Sequence, residues 1–208
     1  MGLNAGLQDR TPQELVTELR GLTHVDWPTV WSGPPYPGQG LDMWCAQFDW
    51  VPTSFERVLQ VRTDTGGTFT LNNLAGSWAP VTHVSHWVWG TSAEAVDDNP
   101  AVLAEAARAW PLYLTAACSV LGEPTWEGAW EAEDFPENLG SHDAGSREYR
   151  LAHQNPHRLA YWTPGDTTGP LVVMEVLLKA GTASPTPRRG AANLSVKFYP
   201  RPVEIGEL

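Results

Sequence analysis

The stretch LVVMEVLLKAGTASPTPRRGAANLSVKFY, Leu171 to Tyr199, holds two alternating runs separated by a polar segment. In the first run Val172, Met174, Val176 and Leu178 share a face, and in the second Leu194, Val196 and Phe198 do the same. A side-chain period of two is the mark of a strand with one face in a core. TASPTPRRGA, Thr182 to Ala191, reads as a long polar hairpin loop, so the two strands are expected to lie antiparallel.

Outward from this pair, further strand-like runs fall at Asp42 to Trp50, Phe55 to Thr63, Thr68 to Leu74, Val81 to Trp89, Thr125 to Trp130, Arg147 to Ala152 and Arg158 to Thr163. Asp64-Thr65-Gly66-Gly67 supplies turn chemistry between the second and third of them. The segment WSGPPYPGQG, Trp31 to Gly40, is too rich in Pro and Gly for regular structure.

Two helices complete the pattern. Thr11 caps the first, Pro12 occupies its first turn, and Leu15, Leu19 and Leu22 form one stripe. Asn99-Pro100 opens the longer one, in which Leu103, Ala107, Trp110, Leu114, Cys118 and Leu121 recur at spacings of three and four. Pro111 predicts a kink or two abutting helices near Trp110, and Gly122 with Pro124 ends the helix. The expectation is an α+β fold: two helix-then-antiparallel-strands blocks, with helices packed on a mostly antiparallel sheet. Residues 1–208 form a single compact domain with two similar halves. Residues 1–95 carry a helix and about four strands, and 96–208 a long kinked helix and about five. One shared sheet and two separate sheets both fit.

The bulk numbers bound the function. The 208 residues are 42% hydrophobic, enough for a sizeable core. The net charge of −11 argues against nucleic acid, which needs clustered Lys and Arg, and favours basic partners. Arg heavily outnumbers Lys and Ile205 is the sole Ile, a bias that suits a GC-rich bacterial genome. MGLNAGLQDRTPQEL has no secretory pattern, Gly6 breaks the myristoylation pattern, and no apolar run is long enough to span a bilayer. A cytoplasmic location without membrane contact is expected. Cys45 and Cys118, without paired spacing, read as buried free thiols.

The most concentrated chemistry lies in EPTWEGAWEAEDFPE, Glu123 to Glu137: six carboxylates, three aromatics and no basic residue. A strand at Thr125 to Trp130 sends Trp126, Gly128 and Trp130 one way, and Glu127, Ala129, Glu131 and Glu133 the other. On one reading the Trp residues are core and the acids a solvated face. On the other, Glu127, Glu131, Glu133, Asp134 and Glu137 steer a basic protein partner, with Trp126 or Trp130 as anchor.

Other constellations are weaker. His83 and His86, three apart on a strand, face opposite ways. His153 and His157 flank a turn and would need a carboxylate such as Asp166 to hold zinc. There is no nucleophile elbow, catalytic Cys neighbourhood or phosphate loop. Asp97-Asp98 and Glu133-Asp134 suit helix dipoles and solubility. No catalytic residue, metal or cofactor is expected. Arg150, Arg158, Glu175 and Lys197 are expected to pair across strands on an exposed sheet face. Eleven Trp residues also allow a small-ligand cavity, lined by Trp44, Trp87 or Trp89.

YLTAACSVLGEPTWEGAW (Tyr113 to Trp130), RLAYW (Arg158 to Trp162) and GPLVVMEVLL (Gly169 to Leu178) together resemble small uncharacterised actinobacterial proteins of the polymorphic-toxin immunity type. The resemblance implies a non-catalytic intracellular inhibitor that binds a toxin domain, and carries over no functional residue. The alternatives are a small-ligand-binding protein with a Trp-lined cavity and a phage or injection-particle structural protein.

Overall fold

The computed structural model describes residues 9–74, 78–136, 139, 147–163, 165, 169–179, 182 and 188–201. Among them are five α-helices, α1 (Pro12–Leu22), α2 (Trp27–Ser32), α3 (Gln39–Ala46), α4 (Asn99–Leu121) and α5 (Arg147–His153). Eight strands accompany them: β1 (Trp50–Ser54), β2 (Leu59–Thr63), β3 (Thr68–Asn73), β4 (Val81–Ser92), β5 (Trp126–Ala129), β6 (Arg158–Trp162), β7 (Leu171–Leu178) and β8 (Ala191–Tyr199). The class is α+β, with helices packed on an antiparallel sheet.

All eight strands form one sheet in the order β1-β2-β3-β4-β8-β7-β6-β5. Each half of the chain contributes a four-strand antiparallel meander, and the halves join where β4 pairs with β8. The helix-covered face carries Val61, Phe69, Val84, Met174, Val176, Leu194, Val196 and Phe198, all buried with α1 to α4 in one large core. Each such side chain withdrawn from water contributes about 1.5–3 kcal/mol against the entropy of ordering the chain.

On the opposite face, the described residues form a cover over the β5 to β8 half. There Phe135, Leu159, Val173 and Tyr199 form a second, smaller core that Trp126 and Tyr161 flank. The chain leaving β5 and the helix α5 form this cover: the Arg150 guanidinium lies 4.2 Å from the Phe135 ring centre and donates to the carbonyl of Trp130.

Local chemistry explains most boundaries. Thr11 and Glu14 form a reciprocal capping box with Pro12 in the first turn, and Leu15, Leu19 and Leu22 are buried as the spacing predicts. The β2–β3 hairpin turns through Gly66, whose φ of +88° suits glycine. α4 runs unbroken through Pro111, which sits on its exposed side. The missing amide therefore faces solvent, and the Thr115 hydroxyl donates back to the Pro111 carbonyl at 2.8 Å. The buried stripe is Val102, Ala106, Trp110, Tyr113 and Ala117, displaced one residue from the expected Leu103 and Ala107 series at its start. Asn99 is already inside this helix; its side chain accepts from the Gly190 amide at 2.8 Å and donates to the Arg188 carbonyl at 2.9 Å.

Two expected strands are helices. Residues 39–46 form α3, where Leu41, Trp44 and Cys45 are buried at helical spacing, and β1 begins only at Trp50. Residues 147–153 form α5, so the described residues of the second half hold four strands instead of the five expected. The charged set divides likewise. Lys197 and Glu175 pair at 2.5 Å as expected, but their side chains are 15% and 2% exposed, so the pair is inside. Arg150 is a buried helix residue.

Candidate functional site

The acidic Trp segment begins as the edge strand β5. β5 pairs with β6 so that Trp126 lies opposite Tyr161 and Glu127 opposite Ala160. Trp126 therefore points to the smaller core, where it meets Phe135 edge-on at 5.3 Å, and its indole N–H donates to Asp134 Oδ2 at 3.0 Å. Gly128 leaves room for that ring, because a Cβ there would stand 2.6 Å from it. Glu127 points to the helix layer and accepts from the indole N–H of Trp110 at 3.1 Å. The strand ends at Ala129, so alternation does not extend to Trp130, which is half-buried. Glu127, Glu131, Glu133 and Asp134 are all exposed, and Glu127 and Asp134 accept from Trp residues of the same chain. Glu137 lies outside the described residues.

A sizeable concavity lies elsewhere. At the end of the sheet where β6 and β8 finish and β7 begins, a cleft of about 560 Å³ opens between α1, α2 and the end of α4. Its floor includes Trp27, Phe198, Trp162 and Val172. Trp27 is sandwiched, stacking on Phe198 at 5.1 Å and on Trp31 at 5.0 Å, and Asp26 with Pro28 starts the short helix that carries it. Trp162 is fixed by its indole N–H, which donates to the Gly122 carbonyl at 2.9 Å beyond the end of α4. Leu19, Leu22 and Leu121 wall the cleft, and Thr23, Asp26, Glu123, Thr125 and Thr163 form its rim. Such a volume, with apolar walls and a few polar groups, is that of a small-molecule site. The expected cavity residues are not its lining: Trp44 packs against Phe48 and Trp50, while Trp87 leans over Gly90 on the face away from the helices. Trp89 instead packs at the edge of the large core.

A second concavity, of about 240 Å³, borders Glu18, Thr63, Thr65 and Trp50. Here Glu18 is buried and its carboxylate is fully engaged. It pairs with Arg10 at 3.1 Å, accepts from Thr63 Oγ1 at 2.9 Å, and accepts from the Thr65 hydroxyl. Arg10 also donates to the Thr65 carbonyl at 2.8 Å, and its own carbonyl accepts from the Tyr113 hydroxyl at 2.5 Å. This cluster clamps α1 to the β2–β3 hairpin and to α4.

The histidines do not converge. His86 is buried on the helix side, stacks on Phe69 at 4.5 Å and donates through Nδ1 to the Thr68 carbonyl at 2.9 Å. His83 lies on the opposite face against Tyr199. Burial lowers the pKa of His86, and burial together with Arg158 lowers that of His157. His153 is exposed on α5, and Asp166 lies outside the described residues. No group of three or more His, Cys, Asp or Glu among the described residues is placed to hold a metal ion. Cys45 is buried and Cys118 half-buried, and both are free thiols. Burial, with Asp42 adding, pushes the Cys45 thiol up to about 12, and burial raises Cys118 as well. No helix among the described residues is long and apolar enough to cross a membrane.

No protein-family model, curated protein or solved structure matches the chain.

Proposed function

We propose that the protein acts by binding, and that the cleft between α1, α2 and the end of α4 receives a small, largely apolar ligand. The observation that carries this reading is the cleft itself, about 560 Å³ with Trp27, Trp162 and Phe198 held by stacking and hydrogen bonding in its floor. Rings fixed before the ligand arrives lose little entropy on binding. Thr163 is exposed at the rim, so Thr163→Trp fills the mouth without disturbing the core. Naphthylethanol, a neutral flat probe, is expected to bind the chain saturably by calorimetry and to lose that binding in Thr163→Trp. Equal binding to both proteins would place the site elsewhere.

A second reading follows from the edge of the sheet. β5 is the terminal strand, with Glu131 and Glu133 exposed just beyond it. A terminal strand with adjacent acids suits an extended basic segment of a protein partner, in keeping with an immunity-type inhibitor. Glu131→Gln with Glu133→Gln would slow association with such a partner and reduce its salt dependence. Unchanged association would exclude these acids from the interface.

A further inference from the structure

We infer that the ligand of the cleft is a small organic cation, an aromatic or otherwise flat apolar body bearing an ammonium group. This rests on the reading of the cleft as the binding site and adds the ligand's charge. Among the described lining residues the ionisable groups are Asp26 and Glu123, with no Lys, Arg or His beside them. The two carboxylates come from opposite halves of the chain, Asp26 from the start of α2 and Glu123 from just beyond α4. Both α1 and α4 also end at the cleft, at Leu22 and Leu121, and helix C-termini carry partial negative charge.

The chain as a whole carries the same sign. Its net charge of −11 draws a cation in from a distance. A carboxylate or phosphate ligand would have to shed water beside two like charges with no counter-charge at the wall. A neutral ligand would gain the apolar contacts and leave Asp26 and Glu123 unused.

Three probes with one ring system and different charge separate these cases: naphthylethylammonium, naphthylethanol and naphthylacetate, each titrated calorimetrically into the full chain at low salt. The cation is expected to bind about tenfold more tightly than the alcohol, and the carboxylate more weakly than either. In Asp26→Asn/Glu123→Gln the cation is expected to fall to the affinity of the alcohol, whose own binding stays as it was. Asn retains an oxygen for the Thr29 hydroxyl, which donates to Asp26 at 2.6 Å. A cation that binds no better than the alcohol, or a preference that survives both substitutions, would overturn the charge assignment and leave the cleft as the site. If none of the three binds, the cleft reading fails, and the inference with it.

Discussion

The Trp110 indole N–H and the Glu127 carboxylate, 3.1 Å apart, join the middle of α4 to the edge strand β5. Trp110 is only 4% exposed while Glu127 is exposed, so the bond sits where the core meets solvent. An acid that looks like part of a docking surface is therefore a structural acceptor. Glu127→Ala is expected to cost about 1–2 kcal/mol in denaturant unfolding, and Glu127→Gln, which keeps an acceptor, much less. Glu131→Ala and Glu133→Ala, at exposed positions, are expected to stay within about 0.5 kcal/mol. Equal losses at all three positions would contradict the assignment.

Gly67 sits under the Glu18 carboxylate, where a Cβ would stand 2.3 Å from Oε1. That carboxylate is held by Arg10, Thr63 and Thr65, so it has nowhere cheap to move. Gly67→Ala is expected to destabilise the protein by about 2 kcal/mol, read from the urea midpoint. A neutral result would show that the clamp between α1 and the hairpin is loose.

Burial keeps His86 neutral in the folded chain by lowering its pKa from 6.5. The unfolded chain takes up that proton more readily. The stabilising contribution is thus complete above about pH 6.5 and declines as the pH falls below it. His157, shifted the same way, adds to the effect. Urea unfolding across this range should show stability decreasing toward acid, with a shallower slope in His86→Asn. An identical slope in the variant would exclude His86 as a source.

Glu175 and Lys197 meet at 2.5 Å under the smaller core. Lys197→Ala leaves a carboxylate uncompensated in the interior, an expected loss of about 3 kcal/mol. Replacing both residues with Leu should recover most of that loss. A double variant as unstable as the single would indicate that the ion pair itself, and not the orphaned charge, supplies the stability.

Much of the fold was legible because burial and local period agree. Val172 to Leu178 and Leu194 to Phe198 alternate in the sequence and line the core in the structure, and the Thr11-Pro12 start of α1 carries its full cap. The misreadings have physical causes. Around residues 42–50 aromatic and small residues alternate by chance, while Leu41, Trp44 and Cys45 also satisfy the spacing of three and four that α3 uses. In α5 the buried residue is Arg150, so no apolar signal marks the helix. The cleft was out of reach for a different reason. Leu19, Trp27, Leu121, Trp162 and Phe198 are spread along the whole chain, and long-range contacts such as the pairing of β4 with β8 and the packing of α1 on α4 bring the halves together. Asp26, Trp27 and Pro28 did carry one readable sign, a helix start just ahead of the aromatic that stacks on Phe198.

The most direct test of the cleft is a methyl-detected NMR titration of the full chain with naphthylethylammonium. Saturable shifts are expected at Leu19, Leu22, Leu121 and Val172, four of the methyl-bearing residues that line the cleft, and at few residues outside it. Shifts confined to other surfaces, or none at these four residues at saturating probe, would contradict the assignment of the cleft as the binding site.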